Sequence, residues 1–304
     1  MKNLKKEFAR EFEILARAEK LFKKMDDPAE GFNTLKESYI DLIRQQSKLM
    51  RIGDKTQLRL REAQTKINRE LRIASEYVRS LLPEELDTPE LSINYHFEPS
   101  EELGGDALGF HFIDNENFAI YLLDVSGHGV GPALHSVSVI NNLRFDTIRD
   151  TNFLEPASVL TALNEKYLMG EYNNMFFTIF YAVYNIKSKV LKFSEAGHPH
   201  ANLHCGKELR SLECGGPAIG FIPDTNYEQD EIKISANSFL YIYSDAAFEF
   251  ADSDGNLATK KDFEKILSDK GIVSSPKDIY SHILRFSNSR KMEDDFSFIK
   301  IHLK

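Results

Sequence analysis

Tyr121-Leu-Leu-Asp124-Val-Ser-Gly-His128-Gly-Val-Gly-Pro-Ala-Leu134 is the stretch from which the rest of the chain reads. The run that feeds it, residues 117–123, is short and mostly apolar, as a buried strand should be. It ends on an acid, Asp124. Glycines 127, 129 and 131 and Pro132 follow. Then apolar residues recur at helical spacing: Val130, Ala133, Leu134, Val137, Ile140 and Leu143. The order is strand, tight turn, helix, and a glycine turn lets backbone come close to a ligand. The carboxylate has two readings. It caps the following helix, or it meets other acids at the mouths of other strands.

The second reading gains weight because the arrangement recurs. Phe239-Leu-Tyr-Ile-Tyr-Ser-Asp245 is another apolar run that ends on an acid. Gly104-Gly105-Asp106 precedes a strand-like run from Leu108 to Ile113, and Asp294-Asp295 precedes one from Phe296 to Leu303. Acids gathered on one rim would repel and raise each other's pKa. Hard divalent cations, which take oxygen ligands, relieve that conflict.

The motifs Leu81-Leu82-Pro83, Gly104-Gly105-Asp106, Asp124-Val-Ser-Gly-His-Gly, Phe176-Phe-Thr178, Ala196-Gly197-His198-Pro199, Gly215-Gly-Pro217 with Gly220, Tyr243-Ser-Asp245 and Asp294-Asp295 follow in that order. In order and spacing, residues 80–304 resemble the SpoIIE/RsbU-type branch of the PPM metal-dependent serine/threonine phosphatases. The resemblance implies an α+β fold, an αββα two-sheet sandwich, with two Mn²⁺ or Mg²⁺ ions at one edge. It implies that Asp124 bridges both ions, that the Val125 carbonyl binds one, and that Asp106, Asp245 and Asp294 complete the shell. Asp124 and Asp106 are the catalytic pair in this reading. Asp295 is the alternative to Asp294, and spacing does not choose between them. The reaction implied is hydrolysis of phosphoserine or phosphothreonine, which is very slow uncatalysed and needs large electrostatic help. The substrate implied is a phosphorylated STAS-domain protein, an anti-sigma-factor antagonist in a bacterial partner-switching pathway.

The chain departs from the family pattern at two places. Ala246 stands where a glycine usually follows the Ser-Asp pair, and strain follows if that backbone needs positive φ. Gly109 stands where a further Asp is usual. A pseudophosphatase that binds a phosphoprotein without cleaving it is therefore the alternative. His128, beside Asp124, reads either as a phosphate contact or proton donor or as a turn histidine bonded locally. His198, His200, His204, Cys205 and Cys214 raise zinc, but no paired ligand clusters match a zinc finger. Residues 252–256 look like a calcium loop, yet the glycine comes too early and the twelfth position lacks an acid, so they read as a turn.

Outside this body lies an all-α arm over residues 1–82, with the phosphatase-like domain at 83–304. Leu4, Phe8, Phe12, Leu15 and Phe22 predict an amphipathic helix over about residues 3–25, ended by Asp26-Asp27-Pro28 and Gly31. From Thr34 to Leu82 an imperfect heptad seam runs through Leu35, Tyr39, Leu42, Leu49, Leu60, Ala63, Ile67, Ala74, Tyr77 and Leu81. Gly53-Asp54 is expected to kink or break it. The seam predicts either a homodimer that passes a signal to the phosphatase or an arm folded back within one chain. In the body, strands are predicted at 91–97, 108–113, 117–123, 177–185, 189–195, 230–234, 238–243 and 296–303, with a short pair in 200–213. Helices are predicted at 130–148, 156–169, 260–269 and 276–287.

Composition bounds the partners. The chain has 304 residues and a formal charge of −9, divided as +6 in residues 1–80 and −15 in the remainder. An acidic body argues against nucleic acid as the main partner. No eighteen-residue apolar run spans a membrane, and the N-terminus lacks an apolar signal core, so a cytoplasmic protein is expected. Two cysteines make no disulfide framework.

Overall fold

The computed structural model describes residues 8–23, 29–172, 174–251, 256–287, 289 and 291–304. The calcium-like loop considered above lies, but for Asn256, outside them. The chain divides into two compact units between Glu70 and Leu71.

The first unit is helical. It holds α1 (Ala9–Phe22) and most of α2 (Ala29–Ser80), whose last residues belong to the second unit. The predicted break at Gly53 does not occur, because α2 is one helix of 52 residues. Glycine costs about 1 kcal/mol in a helix relative to alanine, which flanking turns of good helix formers absorb. Gly31 likewise lies inside α2 rather than ending α1. Lys36 Nζ lies 3.7 Å from Glu19, so α1 lies along the start of α2. Phe8, Phe32, Ile43 and Ser47 are buried there. The heptad seam lies on another face: Leu42, Leu49, Leu60 and Ile67 are all more than half exposed. The arm thus folds back locally and still leaves its seam in solvent.

The second unit is the α+β sandwich. One sheet has the order β1-β2-β11-β10-β7-β8, from β1 (Leu86–Asp87), β2 (Leu91–Glu98), β11 (Phe296–Leu303), β10 (Ser238–Tyr243), β7 (Ala201–Cys205) and β8 (Glu208–Leu212). The other has the order β3-β4-β5-β6-β9, from β3 (Ala107–Phe112), β4 (Asn117–Val125), β5 (Phe177–Asn185), β6 (Val190–Ala196) and β9 (Asp230–Lys233). Every strand pairing is antiparallel. β1 escapes the sequence reading because two residues between Pro83 and Pro89 carry no alternation.

Helices α3 (Val130–Arg144) and α4 (Pro156–Lys166) cover the second sheet, with contacts to β3, β4, β5 and β6. Helices α5 (Lys260–Lys270) and α6 (Pro276–Phe286) cover the first, with contacts to β8, β2 and β11. Both of the latter start with a capping box, Thr259 with Asp262 and Ser275 with Asp278, which satisfies backbone donors that the first turn leaves free. Three apolar layers result. Leu108, Ile120, Leu122, Phe180, Phe193, Ile242, Ile299 and Ile301 fill the space between the sheets. Tyr121, Leu123, Val139 and Leu160 lie under α3 and α4, and Tyr243, Phe263, Ile283 and Phe298 under α5 and α6. Among the described residues no helix is long and apolar enough to cross a membrane.

Candidate metal centre

A strand alternates its side chains, so each buried row between the sheets can be followed outward in steps of two. At one edge of the sandwich five of these rows turn polar. Phe118, Ile120 and Leu122 of β4 lead to Asp124, and Phe110 and Leu108 of β3 lead to Asp106. Ala182 and Phe180 lead to Thr178, Leu240 and Ile242 to Ser244, and Ile301 and Ile299 to Ser297 and then Asp295. The register confirms the common edge: Ala107 faces Leu123, Asp124 faces Thr178, and Tyr243 faces Phe298.

The acids feel one another. Asp106 is buried, and neither of its carboxylate oxygens has a hydrogen-bond partner. Burial raises its pKa well above the usual carboxylate range, and the charges of Asp124 and Asp295 add to the rise. The Ser297 and Ser244 hydroxyls oppose that rise. Neither completes a hydrogen bond to Asp106: Ser244 Oγ donates to the Asp295 carbonyl and Ser297 Oγ is itself unpartnered. Asp124 is pushed up to about 7, first by burial and then by Asp245, Asp294 and Asp295. Asp245 is pushed up to about 6 by burial, Asp294 and Glu249. A site that holds carboxylates against both desolvation and mutual repulsion favours cations.

The donor set therefore fits hard divalent ions: oxygen ligands, several of them acids, with orphaned oxygens on Asp106. The side chains are within electrostatic reach of each other rather than closed around a point. Among the described residues no group of three or more His, Cys, Asp or Glu is gathered tightly enough to cage an ion.

The turn after β4 explains its glycines. Gly127 and Gly129 have φ of 91° and 92°, values that side-chain-bearing residues rarely adopt. Gly105 has no strain of that kind. A Cβ on it would lie 2.5 Å from the Val125 carbonyl oxygen, so the bare Cα is what lets the two strand ends meet. Asp124 does not cap α3. The N-cap of α3 is Gly129, without a side-chain hydrogen bond.

Both departures from the family pattern have a local account. Ala246 is buried in a 3₁₀ turn, Asp245–Ala247, and has no positive φ, so the expected strain does not arise. Gly109 points away from the rim. It faces Tyr121, and a Cβ there would lie 2.3 Å from the ring, which stacks on Tyr181.

The remaining candidates separate. His128 is exposed, with Nδ1 3.3 Å from Glu101. His198 is buried, its Nδ1 3.0 Å from Thr178 Oγ1, and burial pushes its pKa down to about 3. His200 Nδ1 lies 2.5 Å from Glu195 Oε1, while Cys205 Sγ meets Ser238 Oγ and Cys214 Sγ donates to the Glu228 carbonyl. His200, Cys205 and Cys214 thus go to different partners. Thr178, Glu195, Ser244 and Ser297 had no role assigned from sequence. Glu195 carried a legible signal, since it continues the inward row Leu191, Phe193. A cleft of about 440 Å³ opens beside Asp294, lined by Ala246, Phe250, Leu257 and Met292.

A family model, Stage II sporulation protein E (SpoIIE), matches residues 114–304, well over half of the chain. The chain belongs to the SpoIIE family. Among its SpoIIE-type relatives, the phosphoserine phosphatase RsbU of Bacillus subtilis (strain 168) is 28% identical over 252 residues, which are 81% of this chain and 73% of RsbU. The phosphoserine phosphatase RsbP of the same organism is 25% identical over 249 residues, 79% of this chain and 60% of RsbP. The SiaA-PP2C domain of Pseudomonas aeruginosa superposes with a TM-score of 0.69 at 18% identity, over 80% of this chain and 99% of that one. The PP2C phosphatase domain of SpoIIE from Bacillus subtilis, with a fragment of its regulatory domain, gives 0.60 at 15% identity over 71% and 64%. The SpoIIE-family body of this chain therefore has the PP2C fold.

Proposed function

We propose that this protein hydrolyses phosphoserine or phosphothreonine on a partner protein with the help of two Mn²⁺ or Mg²⁺ ions. It is a protein serine/threonine phosphatase of the RsbU and RsbP type. The observation that supports the metal reading best is the buried Asp106 carboxylate with both oxygens unpartnered, beside the raised Asp124. In this reading Asp124, the Val125 carbonyl, Asp106, Asp245 and Asp294 supply the oxygen ligands. Bound there, the ions would activate a water and neutralise charge on the phosphoryl oxygens. The chain's own part is to hold acids together at a cost, in a floor of apolar rows that keeps bulk water beneath them out. His128 stands exposed on the rim, where it can exchange a proton with solvent or substrate. No cysteine is needed, and both cysteines bond elsewhere.

The substrate in this reading is a phosphorylated STAS-domain regulator, and the exposed seam of α2 pairs with a second copy to gate the enzyme. The protein works in the cytoplasm. A second reading, a pseudophosphatase, is favoured by one observation, the open spacing of the acids. Hydrolysis of p-nitrophenyl phosphate with and without Mn²⁺, in wild type and Asp124→Ala, separates them. Mn²⁺-dependent turnover lost in the variant supports the enzyme. No turnover and no Mn²⁺ binding by calorimetry supports the pseudophosphatase.

A further inference from the structure

Asp295 is the most thoroughly bonded carboxylate of the rim. Its Oδ1 accepts from Ser100 N at 2.7 Å and Ser100 Oγ at 2.9 Å. Its Oδ2 accepts from Gly105 N at 2.7 Å and, more weakly, Asp106 N at 3.5 Å. A carboxylate offers about four lone-pair sites, and these four donors fill them. Asp294 differs. It is exposed, and its Oδ1 accepts from the Asp295 amide at 2.8 Å.

The chain in front of β3 is shaped to this carboxylate. A Cβ on Gly104 would lie 2.3 Å from Asp295 Oδ2 and 2.5 Å from Cγ, so any side chain at 104 would take the carboxylate's place. Gly105, held by Oδ2, in turn lies against the Val125 carbonyl. Ser100, held by Oδ1, belongs to the loop whose Glu101 meets His128. One buried side chain at the start of β11 thereby fixes Asp106, the approach to Val125 and the loop beside His128.

We propose that Asp295 is a positioning residue, not a metal ligand: it clamps the Gly104-Gly105-Asp106 turn, which holds Asp106 at the rim and Gly105 against the Val125 carbonyl. This rests on the metal-phosphatase reading. Asn cannot replace it, because an amide would turn N–H against N–H on either Ser100 or Gly105. Gly104→Ala reaches the same clamp from the other side. Gly104 has no positive φ, so its alanine acts by displacing the carboxylate and not by backbone strain.

The test is Mn²⁺ calorimetry on the full chain for wild type, Asp295→Asn, Gly104→Ala and the double variant, with hydrogen exchange of the segment 100–107 in metal-free protein. Each single variant should weaken Mn²⁺ binding about 10- to 100-fold, the usual effect of losing a ligand's supporting partner. The stoichiometry should stay that of wild type, and residues 105–106 should exchange faster. The double variant should be little worse than the worse single one, because both break one contact. Loss of one ion in Asp295→Asn with Gly104→Ala unaffected would make Asp295 a ligand and overturn the proposal. Lowered melting temperature with unchanged Mn²⁺ affinity in both would also overturn it. If Asp295→Asn fails to fold, Gly104→Ala decides alone. If wild type binds no Mn²⁺, the metal reading fails separately, and the exchange of residues 105–106 alone decides whether Asp295 clamps the turn.

Discussion

The rim of the sandwich and the seam of α2 are unfavourable in opposite ways. The rim buries like charges: Asp106 sits in the interior, where burial and then the charge of Asp124 disfavour its ionisation, and Asp124 is itself raised by burial and by Asp245, Asp294 and Asp295. The seam exposes apolar side chains: Leu42, Leu49, Leu60 and Ile67 each present more than half of their surface to solvent. An enclosed carboxylate is corrected by a cation, which is small and chemically defined. An exposed apolar stripe is corrected by any complementary face. Charge at the rim therefore specifies its ligand class, whereas the seam specifies only the kind of surface it meets.

The sharpest way to break the rim's half of this comparison is Asp124→Asn. Mn²⁺-dependent turnover of p-nitrophenyl phosphate should fall by about three orders of magnitude or more, since electrostatic stabilisation is the main source of rate. Turnover within tenfold of wild type would remove Asp124 from the site. Next in size is Gly105→Ala, whose Cβ would press on the Val125 carbonyl. It should reduce turnover about 100-fold and lower the melting temperature, since a forced overlap in a packed region costs roughly 1–3 kcal/mol. A variant with wild-type kinetics would show that the close approach of 105 and 125 is dispensable.

A third prediction concerns pH. The raised pKa values of Asp124 and Asp245, about 7 and 6, mean that metal binding must displace protons below neutrality. Mn²⁺ affinity should fall as pH drops from 8 to 6, with proton release measurable by calorimetry in buffers of different ionisation enthalpy. The same groups set the sign for metal-free stability. Between the ordinary carboxylate range and pH 7 the folded form binds more protons than the unfolded form, so their contribution is present at low pH and lost as pH rises through the folded pKa values. The melting temperature of metal-free protein should therefore decline less between pH 5.5 and 8 in Asp124→Asn than in wild type. An identical decline would sink this account.

The smallest effects on turnover belong to the arm. Leu60→Lys, on the exposed face, should leave the folding of the isolated chain nearly unchanged and shift any self-association seen by sedimentation. Ile43→Ala, on the buried face, should instead destabilise the arm by about 2–5 kcal/mol, the usual result of truncating a core side chain. If Leu60→Lys changes neither association nor turnover, the seam is a solvated surface and not a switch.

Much of the body was legible because its signals are local. Asp124 and Asp245 each end an apolar run, and the glycines at 127 and 129 announce positive φ; both follow from a few neighbouring residues. The continuous α2 was not legible, because one glycine lowers helix preference without deciding the outcome. Gly109 read as a missing acid until its partner Tyr121 gave it a packing reason.

The sequence by itself determined the strand-end acids, the α+β order of strands and helices in the body and the chemistry that such acids invite, since these depend on residue type and period. Only the tertiary structure decided which inward rows share an edge, that Asp295 is saturated while Asp294 is exposed, and that Gly104 makes room for a carboxylate almost two hundred residues away in the chain. Adjacent aspartates have the same composition and opposite faces. Which of them is buried is set by the register of β11 against β2 and β10, a long-range pairing that no local pattern encodes.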